Sequence, residues 1–121
     1  MKYRDDGTRD WVRLVGSSGA DVAYDVAAGP EGAVYLVGET DGELPDKCYN
    51  GGQEDGFVAK YTASGDRRWI KPIGTRGTDS VFDVAVSGTD GVYIAGMADK
   101  GIGGGPLHGY AVPFVARVDV Q

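Results

Sequence analysis

Carboxylates are the side chains of this chain best placed by type and spacing to do chemistry. Asp21 and Asp79 each follow a Gly-x-x-Gly turn, and Asp25 and Asp83 recur four residues later. Oxygen ligands of this kind can hold Ca²⁺. A regular strand rises about 3.3 Å per residue, so carboxylates four apart are expected on one face but far from each other. Asp after a Gly turn also accepts hydrogen bonds from the local backbone. These aspartates recur at a fixed interval, which is what a structural role predicts, so neither a metal site nor a cofactor is expected here.

The stretch from Glu39 to Gly56 is long for a connection between strands, and long loops tend to carry function. It holds Asp41, Glu43, Asp46, Glu54 and Asp55 beside Tyr49 and Asn50, a polar and aromatic mixture suited to a sugar or a cation. Asp41, Asp46, Tyr49, Asn50 and Asp55 are the candidate ligand-binding residues. The competing reading is a solvated connector whose Gly and Asp residues make turns. Cys48 lies in the same loop beside Lys47 with no base near it in sequence, which reads as an idle thiol. His108, in a Gly-rich stretch, has no visible partner for nucleophilic catalysis. The run from Gly101 to Gly105 lacks the Gly-Lys-Ser/Thr ending of a phosphate loop. No catalytic residue emerges, and the chain is read as a non-enzyme.

Composition narrows the classes further. The formal net charge is -6, against the clustered Lys and Arg that nucleic-acid binding needs. No apolar run reaches bilayer-spanning length, so membrane insertion is not expected, and MKYRDDGTRD has no apolar signal-peptide core. A single cysteine excludes an internal disulfide. Glycine makes up 21 of 121 residues while charge content is ordinary, which favours turn-rich β structure over disorder.

The elements that position these residues come in two copies. At an offset of 58, fourteen identities fall within the 37 positions from Lys2 to Gly38, among them Tyr3/Tyr61, Trp11/Trp69, Asp25/Asp83, Tyr35/Tyr93 and Gly38/Gly96. The offset then drops to 57, matching Phe57-Val58-Ala59-Lys60 with Phe114-Val115-Ala116-Arg117. Each unit reads as four strands, in the first copy Val22 to Ala28, Ala33 to Glu39, Gly56 to Tyr61 and Arg68 to Ile73. Val34-Tyr35-Leu36-Val37 is apolar at consecutive positions, so both faces of that strand must be covered. An antiparallel four-stranded sheet sandwiched between like sheets at a constant period is a β-propeller blade. Small residues such as Ala27 and Ala28 suit the crowded inner strand, and Trp11 and Trp69 suit the gap between outer strands.

The ordered series W-x-x-x-x-G-x-x-G-x-D-x-x-x-D-V-A, then GAVY, DGELP, YNGG and EDGFVAKY, resembles the bacterial SBBP β-propeller repeat family across nearly the whole chain. The resemblance implies propeller blades and, in many relatives, secreted or cell-surface proteins. It transfers no catalytic residue. The second copy departs from the pattern between Met97 and Pro113, where Leu-Pro and Asn-Gly-Gly are missing.

The expected fold is therefore all-β, one propeller module over residues 1–121, with units at about 2–59 and 60–117. Read in order, the chain carries a spare outer strand around Trp11 and a last unit that stops at its third strand. Two blades span only part of a circle. The expectation is head-to-tail assembly into a homo-trimer or homo-tetramer, six or eight blades, closed by strands holding Trp11, Val12 and Leu14 on one chain and Phe114, Val115 and Val118 on the next. The alternative is a piece of a longer propeller. The functional expectation is a non-catalytic binding or scaffolding module with itself as partner and a protein or carbohydrate ligand. The alternatives are lectin-like binding between blades or a fragment of a propeller enzyme.

Overall fold

A computed structural model describes residues 1–16, 19–41, 55–73, 79–88, 91–98 and 112–119. The described chain is all-β apart from one 3₁₀ turn, Pro30–Gly32. Its strands are β1 (Lys2–Tyr3), β2 (Arg9–Trp11), β3 (Asp21–Ala28), β4 (Val34–Thr40), β5 (Asp55–Tyr61), β6 (Arg67–Ile73), β7 (Asp79–Ser87), β8 (Gly91–Ala98) and β9 (Val112–Val118). They form three antiparallel sheets: the hairpin β1-β2, a four-stranded sheet in the order β3-β4-β5-β6, and a three-stranded sheet β7-β8-β9.

The pairing registers of the two larger sheets coincide residue for residue. Ala27 lies opposite Tyr35 and Tyr35 opposite Lys60; in the second sheet Ala85 lies opposite Tyr93 and Tyr93 opposite Arg117. The β1-β2 hairpin repeats the end of β5-β6, with Lys2 opposite Trp11 as Lys60 is opposite Trp69. Its turn is the same as well. Gly7 N–H donates to Arg4 O as Gly65 N–H does to Thr62 O, and the positive φ of both glycines, 86° and 90°, is why that position is glycine in each copy.

Register also corrects one expectation. The pairing of β3 with β4 shifts between Ala23 and Asp25, leaving Tyr24 as an extra, bulged residue, and β7 repeats the shift between Val81 and Asp83 around Phe82. A bulge of one residue reverses the alternation of everything beyond it. Asp21 and Asp25, expected on one face, consequently lie on opposite faces, the first beside Thr40 and the second beside Val37. The bulge also accounts for a shared glycine. A Cβ on Gly38 would collide with the carbonyl oxygen of Val22, and one on Gly96 with that of Ser80.

The larger core lies between the four-stranded and three-stranded sheets. Tyr35, Val37 and Val58 of the first pack against Val81, Val84, Val92, Ile94 and Val118 of the second, with Trp69 and Phe114 at the margin. Both faces of β4 and β5 are used, as the unbroken apolar runs require. The opposite face of the first sheet carries a second cluster of Phe57, Ala59, Tyr61 and Ile70, joined by Val15 and Leu36. The β1-β2 hairpin caps one end of that face. Trp11 stacks on Tyr61 with ring centroids 6.4 Å apart, and its Nε1–H donates to Ala63 O at 2.9 Å.

Candidate functional site

Of the residues expected to bind a ligand, Asp46, Tyr49 and Asn50 lie outside the described residues, as do Cys48 and His108. Asp41 is exposed, and its Oδ1 accepts the Ala20 N–H at 2.5 Å while its own N–H donates to Ala20 O. It closes the mouth of β3 and β4. Asp55 is fully buried inside β5, opposite Thr40. Thr40, Asp79 and Ser80 are buried as well; Thr40 Oγ1 donates to Asp21 Oδ1 at 2.5 Å, and Ser80 Oγ of the second sheet donates to Glu39 of the first. This polar end of the sheets is knit internally. Among the described residues, no three His, Cys, Asp or Glu side chains gather as a metal site would require.

The second carboxylate pair meets across the two sheets. Asp25 Oδ2 accepts the Val84 N–H at 3.0 Å, and Asp83 Oδ1 accepts the same N–H at 2.9 Å. The two carboxyl groups also hydrogen-bond each other. Val84 N–H, followed by Asp83, holds Asp25 below its ordinary value of 3.8, whereas the hydrogen bond to Asp25 pushes Asp83 above it. The pair is a fastening between sheets. Beside it the two bulged aromatics, Tyr24 and Phe82, meet edge to face at 4.8 Å, an arrangement that adds to their burial.

The remaining candidates are the residues expected to close a ring. Trp11 is engaged with Tyr61 and Ala63 of its own chain. β2 ends at Trp11, so Val12 and Leu14 fall beyond the strand; Leu14 is 96% exposed. β1, the partner of β2, is only two residues long, which limits how far the ladder runs. Phe114 packs at the margin of the inter-sheet core and Val118 is buried in it, while Val115 is 77% exposed. Among the described residues β9 is an edge strand.

Comparing equivalent positions of the two copies exposes a pattern that residue-by-residue reading missed. Val58 is fully buried and Tyr35 is 2% exposed, yet their counterparts Val115 and Tyr93 are 77% and 41% exposed. On the reverse faces the relation inverts: Val84 is 6% exposed and its counterpart Val26 is 58%. The outer face of the second sheet thus carries the residue types that the first sheet buries, and the outer face of the first carries those that the second buries. A groove of roughly 440 Å³ opens on the latter, walled by Val26, Ala28, Val34, Leu36 and Tyr61 and flanked by Trp11. The repeat offsets of 58 and 57 are the sequence signal that pairs these positions.

Compared with known families and with curated proteins, the chain matches no family model and no curated sequence.

Proposed function

We propose that the chain is a non-catalytic β-propeller module of the SBBP type, a binding or scaffolding unit whose four- and three-stranded sheets are successive blades. It assembles head to tail into a ring of six or eight blades built from three or four copies. The observation that carries this reading is the reciprocal exposure just described. One face-to-face joint exists inside the chain, and the two outer faces are the two halves of that same joint. Bringing the second sheet of one copy against the first sheet of the next buries Val115 where Val58 is already buried, and removes apolar surface that water disfavours. A joint between unlike surfaces repeats until it closes.

The strands support the same geometry. β2 lies on the first sheet with Trp11 over Tyr61, and it carries the register of β6. Pairing Arg9–Trp11 with Val118 and Arg117 of the preceding copy gives that copy's second sheet its fourth strand.

Light scattering coupled to size-exclusion chromatography tests the proposal. The expected mass is three or four times the 12.7 kDa chain, independent of dilution over the micromolar range. A stable monomer would remove the ring altogether.

A further inference from the structure

Resting on that head-to-tail reading, we infer that the groove on the first sheet is the seat for Tyr93 of a second copy, and that Tyr93 is the residue that anchors the joint. The seat that Tyr35 already occupies supports this. Tyr35 projects from β4 into the space between the sheets, 2% exposed, with Val86 of β7 and the backbone of Gly29 close to its ring edge. Trp69 lies 6.2 Å from it in a tilted arrangement, and Lys60 Nζ sits 5.6 Å from the ring centroid. Val84, Val92 and Ile94 complete the wall.

All of these partners but Gly29, whose place Ser87 takes in the second copy, have a counterpart outside. Tyr93 occupies the register position of Tyr35, with Arg117 opposite it where Lys60 stands opposite Tyr35. Val26, Ala28, Val34 and Leu36, the walls of the groove, are the counterparts of Val84, Val86, Val92 and Ile94. The groove is large enough for an aromatic ring and is apolar on its floor, with Trp11 at its side. The fastening travels with the ring. Val84 N–H is shared by Asp83 and Asp25, so the counterpart Val26 N–H is the donor that an incoming Asp83 meets when Tyr93 is seated. Tyrosine at the centre of a desolvated joint is the usual form of an energetic anchor. The occupant is therefore a second copy of this chain rather than a small molecule.

Four samples of the full chain test the inference by light scattering: wild type, Tyr93→Asp, Val26→Asp, and an equimolar mixture of the two variants. Both positions are exposed in the single chain, so each variant is expected to keep the wild-type melting temperature. Should either lose its melting transition, Tyr93→Ser and Val26→Ser replace them. Each variant alone is expected to run at the mass of one chain at concentrations where the wild type is fully assembled, a weakening of roughly a hundredfold or more. The mixture is expected to form a species of two chains, because Val26→Asp still offers Tyr93 and Tyr93→Asp still offers the groove. An oligomeric wild type with an unchanged Tyr93→Asp mass, or a mixture that stays at one chain, overturns the anchor and leaves the ring standing. A wild type that is itself a single chain overturns both.

Discussion

Asp25 and Asp83 tie two sheets through one backbone N–H, and their opposite displacements give that tie a definite pH behaviour. Asp25 is held below 3.8 by the Val84 N–H and then by Asp83, so its contribution is present above 3.8 and is lost as pH falls through its lower folded value. Asp83 is raised because its proton is held in the bond to Asp25, against the opposing pull of the Val84 N–H, so its contribution is complete below 3.8 and is lost as pH rises through its higher folded value. The fastening is thus strongest when the pair shares a single proton, near the ordinary carboxylate value, and weakens on both sides. Asp83→Asn supplies a neutral donor at every pH. Its melting temperature is expected to exceed that of the wild type by a small margin at pH 7, with the difference closing as pH falls toward 4. Thermal melts followed by circular dichroism across that range check this, and a constant difference would show that the proton plays no part. At the same scale, Gly38 and Gly96 are glycine because the bulged backbone opposite leaves no room for a methyl group. The identity of the pair was visible in the repeat; its cause was not.

Strand boundaries were legible because apolar, β-branched runs between Gly-rich turns leave few alternatives. Val22 to Ala28 is observed as Asp21–Ala28, and Arg68 to Ile73 as Arg67–Ile73. What the sequence concealed was the bulge. Tyr24 and Phe82 look like ordinary alternating strand residues, and only the glycines that face the bulge across the ladder hint at it. Missing it placed Asp21 and Asp25 on one face, whereas the structure assigns one to the polar end and the other to the joint between sheets. The candidate loop was legible as long and polar, but Asp55 proves to be a buried strand residue, because the ladder of β4 with β5 extends to Thr40. The hairpin β1-β2 is a further case of an element whose role depends on packing. Trp11 is its main attachment, through the Tyr61 ring and the Ala63 carbonyl. Trp11→Ala is expected to reduce assembly severely while lowering the melting temperature of the single chain only slightly, since neither of the two cores contains Trp11. Mass and melting temperature measured on the same sample separate the effects; an unchanged mass with a large loss of melting temperature would make Trp11 a subunit core residue instead.

At the scale of the whole molecule, two sheets of matching register meet in one joint. The β1-β2 hairpin gives the chain an additional property. Lys2–Tyr3 stands beside β2 in the place that Lys60–Tyr61 takes beside β6, and in the proposed ring Arg117–Val118 of a neighbouring copy would take that place. In the proposed ring two claimants would contend for one seat, which the chain's own segment holds in the single chain. Under the proposed assembly, closure would be an exchange, in which a local two-residue ladder gives way to one from outside at a speed governed by how readily the incumbent leaves. Removing Met1 to Arg4 is expected to shorten the time a diluted and reconcentrated sample needs to recover its full mass, without altering the mass finally reached. Followed by time-resolved light scattering, such a lag, and its disappearance on shortening, would mark the first strand as a temporary lodger whose departure sets the pace of assembly.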